Sequence, residues 1–211
     1  KRTINFMKRY SELRAEARAA LSGKWTMAAL VTLIYLVISV GLSYLPINAV
    51  LRYMLIYIVM LPVGYGYSVL FLDVFRKTGD VELGKLFDGF KDFSRIFCTL
   101  LLMVVYTILW TLLLIVPGIM KSYSYAMTAF ILRDEPQLKN NEAIEKSMRM
   151  MEGHKMNLFV LDLTFIGWIL LGIVTCGLGL LWVEPYICTA RAAFYEMLKK
   201  EQADTQPEIV A

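Results

Sequence analysis

The sequence predicts an all-α integral membrane fold of six transmembrane helices in three hairpins, each preceded by a cytoplasmic interfacial amphipathic helix. Three observations predict it. Apolar residues make up 58% of the 211 residues and the mean hydropathy is +0.56, against roughly 45–50% apolar content in soluble domains. Those residues fall in uncharged blocks long enough to cross about 30 Å of hydrocarbon as helices. The 22 basic and 18 acidic residues crowd into the short segments between the blocks.

The elements follow in order. A polar and amphipathic stretch precedes Trp25–Leu45, which carries no charge and is too long and too late for a cleaved leader, so it is the first span. The chain opens at Lys1 without a methionine, and a few preceding residues are expected. Tyr53–Leu72 is equally free of charge, and the short segment Pro46-Ile-Asn-Ala-Val50 joins the two as a hairpin. Ile96–Met120 is the third span, closed by Pro117-Gly118, a dipeptide that marks turns. Ser122–Leu132 is short for a crossing, yet as a fourth span it returns the following basic connector to the side of the others. Met156–Val183 is interrupted only by Asp162, and the glycines of Thr175-Cys-Gly-Leu-Gly179 turn a fifth span into a sixth that runs to about Leu198. The alternative is one long tilted helix with an external C-terminus. The whole forms one polytopic domain over 1–202, with a disordered tail at 203–211.

Basic residues near short loops are retained in the cytoplasm. With six spans, seven precede the first span, five lie at Arg76–Arg95, five at Arg133–Lys155 and two at Lys199 and Lys200. Only Arg52, Lys121 and Arg191 fall elsewhere, so both termini are expected inside.

The connectors suggest a threefold internal repeat, with units at about 8–75, 76–134 and 138–200. Leu21-Ser-Gly23-Lys-Trp25, Phe87-Asp-Gly89-Phe-Lys91 and Met151-Glu-Gly153-His-Lys155 share one form, and their glycines are 66 and 64 residues apart. Each follows residues that share a helical face: Tyr10, Leu13, Ala17 and Leu21; Leu83, Leu86, Phe87 and Phe90; Ile144, Met148 and Met151. A glycine there fits a left-handed C-cap that turns the chain into the membrane. The second helix of each hairpin carries a proline with small or tyrosine neighbours: Pro62-Val-Gly-Tyr-Gly-Tyr67, Pro117-Gly before Ser122-Tyr-Ser-Tyr125, and Pro185-Tyr-Ile-Cys-Thr-Ala190. Proline kinks a helix and small residues admit close approach. First helices are therefore expected to face lipid and second helices the centre.

Leu13-Arg-Ala-Glu-Ala17, Phe87-Asp-Gly-Phe90, Pro117-Gly-Ile-Met-Lys-Ser-Tyr-Ser-Tyr125, Glu142-Ala-Ile-Glu-Lys-Ser147 and Trp182-Val-Glu-Pro-Tyr186 resemble a bacterial family of multi-pass membrane proteins catalogued as a domain of unknown function. The resemblance runs from about Leu13 to Leu198. It implies a protein of the bacterial inner membrane and brings no catalytic residues. A looser likeness to the membrane portion of glycerophosphodiester phosphodiesterases hints at lipid chemistry, without the phosphodiesterase domain.

Charges inside a bilayer are costly, so each is a site hypothesis with a partner to name. Asp162 lies 15 residues before Gly177 and Arg191 14 after it, which brings them to similar depth on antiparallel helices. They are either a structural clasp or part of a substrate or proton site. Glu184, beside Pro185, is expected to pair with Lys121, with Arg52 also in reach. Broken helices are where transporters place their sites, so Tyr65, Tyr67, Tyr123, Tyr125, Tyr186 and Thr189 are expected to converge with Arg191. Packing or an interfacial belt would explain the tyrosines equally.

Enzymatic readings lack material. His154 is the only histidine, Gly64-x-Gly66 lacks the rest of any phosphate-binding pattern, and Cys98, Cys176 and Cys188 lack metal-ligand spacing. No enzyme, cofactor, metal or nucleic-acid partner is expected. Membrane lipids are the expected partners, since connector Lys and Arg suit anionic headgroups; protein partners and self-association stay open. Two functions compete: a small-solute or lipid-handling transport-type protein with a central polar cavity, and a non-transporting scaffold or accessory subunit.

Overall fold

The structure is a computed structural model that describes residues 2–205, with the side chains of 9–204. It is helical throughout, and no strand occurs among the described residues. Helix α1 (Arg2–Ala20) is followed by the hairpin of α2 (Trp25–Ser43) and α3 (Ala49–Arg76). A 3₁₀ helix (Leu83–Phe90) leads into α4 (Phe93–Leu113), α5 (Ile115–Ser124) and α6 (Thr128–Asp134). After α7 (Asn141–Met150) come α8 (Lys155–Leu163), α9 (Ile166–Val174) and α10 (Leu180–Thr205). Helix α10 carries three residues of the expected tail; the rest of the tail lies outside the described residues.

Four helical stretches are long and apolar enough to cross a membrane: Trp25–Ser43, Ala49–Arg76, Phe93–Leu113 and Lys155–Val174, the last comprising α8 and α9. They coincide with the first, second, third and fifth expected spans. The other two have a different form. A turn at 125–127 divides Ser122–Leu132 between α5 and α6, and α10 carries Glu184, Arg191 and Glu196.

Local chemistry sets the boundaries. Asn48 caps α3 by accepting a hydrogen bond from the Val50 amide at 2.8 Å. The expected turn at Pro117-Gly118 is corrected: the chain breaks at Leu114, in extended conformation, and Pro117 is the third residue of α5. Amides in a first helical turn have no intrahelical partner, so proline costs little there. Gly118 lets α5 fold onto α4, since a Cβ would lie 2.3 Å from Thr111 Oγ1. At the 175–179 turn Cys176 and Gly177 both adopt positive φ, and Thr175 Oγ1 accepts a hydrogen bond from the Gly179 amide at 2.9 Å.

Two of the three connector glycines have the expected left-handed backbone: Gly23 and Gly153 each take φ +77° in the turn after a connector helix, although the C-cap of α7 itself is Met151. The third is corrected. Gly89 lies inside the 3₁₀ helix, where a Cβ would come 2.2 Å from the Pro62 carbonyl oxygen. Its need is close packing against α3, reciprocated at Gly66, whose Cβ would lie 2.2 Å from the Leu86 carbonyl oxygen.

The other connector helices dock by different contacts. Helix α7 packs on α6, with the Ser147 hydroxyl donating to the Ser124 carbonyl at 2.8 Å and accepting from the Met127 amide at 3.2 Å. Helix α1 packs on α10 through buried Tyr10, Leu13 and Ala17. The long helices also pair regularly: α2 contacts α3 and α10, α4 contacts α5 and α3, and α8 contacts α5 and α10.

Burial separates centre from periphery. Leu70, Phe71, Leu72, Ile131, Ala192 and Phe194 are buried, whereas α2, α4 and α9 expose Leu33, Val37, Ile108, Leu112, Leu170 and Ile173. The expectation that second helices are central holds for their C-terminal halves alone. Val50, Leu51, Met54 and Ile58 of α3, and Ile115, Val116 and Ile119 of α5, are exposed. Apolar surface this extensive suits hydrocarbon, because water-soluble proteins keep such patches small.

Candidate functional site

The helix ends beside Arg76 hold a polar cluster. The Arg76 guanidinium forms a bidentate pair with Asp134, at 2.6 and 2.7 Å, and its Nε donates to Glu196 at 2.7 Å. Tyr195 and Lys199 donate to the same Asp134 oxygen at 2.9 and 2.6 Å. Burial opposes ionisation of Asp134, but the hydrogen bonds from Arg76, Lys199 and Tyr195 outweigh it and hold the carboxyl below its ordinary range. Alongside, Asp73 accepts from Arg133 at 3.1 Å. The ends of α3 and α6 are thus clamped to α10.

Of these groups Arg76, Arg133 and Lys199 count in the sequence as orientation charges, and Asp134, Tyr195 and Glu196 are assigned no role there. Both signs sit within three residues at Asp73 and Arg76, at Arg133 and Asp134, and at Glu196 and Lys199. A helix end that needed only to stay in the cytoplasm would not require the acids. That mixture was the available signal.

Asp162 and Arg191 meet as expected. The guanidinium reaches both carboxylate oxygens, with Nε–Oδ1 at 3.1 Å and Nη2–Oδ2 at 2.8 Å. The bidentate geometry is the strong form of such a pair. Tyr123 joins them by donating to Asp162 Oδ2 at 3.3 Å, its ring edge-on to Phe159.

Arg191 also borders a cavity of about 430 Å³ between α2, α3, α10 and the chain from Ala126 to Phe130. Thr32, Tyr35, Ser68, Glu184 and Cys188 contribute to its wall. Tyr67 is fixed there by a 2.9 Å hydrogen bond with Thr32 and by its ring against Tyr35, with centroids 5.1 Å apart. Glu184 and Arg191 are seven residues apart on one helix, hence two turns apart on one face.

Other expected members lie elsewhere. Lys121 does not pair with Glu184; its ammonium stands over the Trp110 ring, 5.0 Å from the centroid. Turning α5 back onto α4 at Leu114 puts the lysine beside that ring. Tyr186 does not line the cavity: it donates to the Arg14 carbonyl at 3.1 Å and packs edge-on to Phe165 and Trp25. Residue 186 thus serves the docking of α1, which sequence periodicity placed on a membrane surface. Tyr125 and Tyr65 line a separate apolar groove between α3 and α4. Thr189 donates to the Pro185 carbonyl at 2.7 Å, within its own helix. Arg52 lies over Tyr53, 6.0 Å from the ring centroid. Among the described residues, no group of three or more His, Cys, Asp or Glu side chains gathers as a metal site.

A family model described as a protein of unknown function, DUF975, matches residues 7–121 and 112–202. No curated protein and no solved structure matches the chain, so nothing supports the likeness to glycerophosphodiester phosphodiesterases.

Proposed function

The chain belongs to the DUF975 family of proteins of unknown function, and from that premise we propose a small-solute or lipid-handling transport-type protein of the bacterial inner membrane. The observation that carries this reading is the cavity bordered by Glu184 and Arg191. An acid and a base on the wall of a cavity between apolar helices are costly unless they serve a ligand or each other. Asp162 satisfies Arg191. Glu184 forms no ion pair of its own among the described residues; its basic neighbour is that same Arg191, two turns along α10.

In this reading the chain crosses six times. The broken α5–α6 pair and α10 supply the fourth and sixth crossings, and their polar interruptions are tolerated because they face protein or the cavity. The threefold repeat draws support from packing. Each hairpin's first helix contacts its own second helix and that of the preceding hairpin, with the third preceding the first. Each connector likewise docks on the preceding second helix. Both termini are cytoplasmic.

The decisive experiment is reconstitution of the whole chain in liposomes, with uptake of small solutes and binding of lipids followed for the parent, Glu184→Gln and Arg191→Ala. Uptake or binding by the parent that falls in both variants is the expected result. A folded parent with neither discards the transport reading. The clamp of Arg76, Asp134 and Glu196 favours a second reading, a rigid scaffold or accessory subunit, in which the same variants change stability alone.

A further inference from the structure

We propose that the cavity receives an amphiphile with a cationic head, the head held at Glu184 and the hydrocarbon chain laid between α3 and α4; this rests on the reading of the cavity as a ligand site. The first observation is charge. Glu184, Arg191 and its partner Asp162 are the charged groups at or against the cavity among the described residues. Asp162 already neutralises Arg191 through two hydrogen bonds, which leaves the Glu184 carboxylate as the excess. With one base between two acids the wall carries a net negative charge, and Glu184, exposed on it, favours a further cation beside it. Tyr35, on the same wall, adds an aromatic ring of the kind that attracts ammonium groups.

The second observation is a neighbouring groove. An open groove of about 540 Å³ lies between α3 and α4, lined by apolar groups that include Leu61, Leu100, Met103 and the exposed Ile108. Cavity and groove share Tyr35, Gly64, Ser68, Ala126 and Ala129. Apart from Tyr35 that common wall is built of the smallest side chains, and a Cβ on Gly64 would meet only the Tyr35 hydroxyl, at 3.8 Å. An acid on one side, hydrocarbon walls on the other and a low partition between them match one molecule with a charged head and a greasy tail. Methionine in the tail groove adapts to chains of varied shape. A fatty acid would place its carboxylate against Glu184 and is disfavoured.

The test uses the full chain in phosphatidylcholine nanodiscs, with binding to empty discs subtracted. The probes are dodecylammonium, dodecanol and dodecanoate. Expected are saturable binding of dodecylammonium, at least about tenfold weakening by Glu184→Gln, and poor competition by the other two. Val104→Trp, in the tail groove alone, is expected to weaken dodecylammonium while leaving the shorter butylammonium unchanged. Equal binding by Glu184→Gln, or dodecanoate or dodecanol binding as well as the amine, overturns the cationic assignment and leaves a ligand cavity in place. Failure of every probe to bind a folded parent overturns both this inference and the reading beneath it.

Discussion

Asp162 of α8 and Arg191 of α10 are joined by two hydrogen bonds across their hairpin, at matching distances from its turn. Antiparallel helices joined by a tight turn place residues equidistant from it at one depth, so counting suffices. Arg191 is 44% exposed at its side chain and Asp162 17%, and removing either partner leaves the other charge unpaired. Asp162→Asn leaves the guanidinium with a weaker partner in an apolar setting. We expect Asp162→Asn and Arg191→Gln each to lower the thermal midpoint, and the double variant to lose less than their sum. The cycle should return a coupling of about 0.5–3 kcal/mol; additivity would show that the contact contributes nothing. Lys121 illustrates the opposite case. Its distance to any turn says nothing about Trp110, because the break at Leu114 decides which surface α5 meets.

At the scale of elements, glycines divide into those that relieve backbone strain and those that admit a neighbour. Gly23 and Gly153 belong to the first kind, with open space around an added Cβ but φ of +77°. Gly23→Ala should therefore cost about 1–2 kcal/mol. Gly66 belongs to the second, and Gly66→Ala must push the 3₁₀ helix away from α3, an overpacking cost of about 1–3 kcal/mol or more. Gly84→Ala meets nothing within 4 Å and serves as the neutral control. Chemical unfolding of the three variants in one detergent ranks them, and a Gly66→Ala protein as stable as Gly84→Ala would contradict the packing described. The periodicity of Tyr10, Leu13, Ala17 and Leu21 was legible as an apolar face, and all four are buried. That the face meets α10 was not, because an amphipathic helix pattern is the same for a protein neighbour and a lipid surface.

For the whole molecule, the Asp134 cluster ties three helix ends together and sets a dependence on pH. Its carboxyl is held below the ordinary 3.8, so the stability it contributes is present above that value and is lost as pH falls through the depressed one. Thermal unfolding of the parent between pH 7 and pH 3 should therefore fall more steeply at its acid end than that of Asp134→Asn. Parallel curves would remove Asp134 from the account. Topology is tested on the same scale. Cys176 is exposed at the 175–179 turn, so a membrane-impermeant maleimide should label it from outside intact cells. With Cys98 and Cys176 replaced by serine, Lys139→Cys should react after permeabilisation alone; labelling in intact cells would reverse the proposed orientation.

The sequence by itself determined the helical class, the four apolar stretches, the two left-handed glycines and the depth match of Asp162 with Arg191. Each depends on local periodicity, backbone sterics or distance along a hairpin. Tertiary structure alone decided that Arg76 binds Asp134 and Glu196, 58 and 120 residues away, that Tyr186 supports α1, and that Glu184 borders a cavity rather than meeting Lys121. The physical reason is common to all three. A charged or aromatic side chain is satisfied by any complementary group in reach, and only the packing of distant helices selects which one is there.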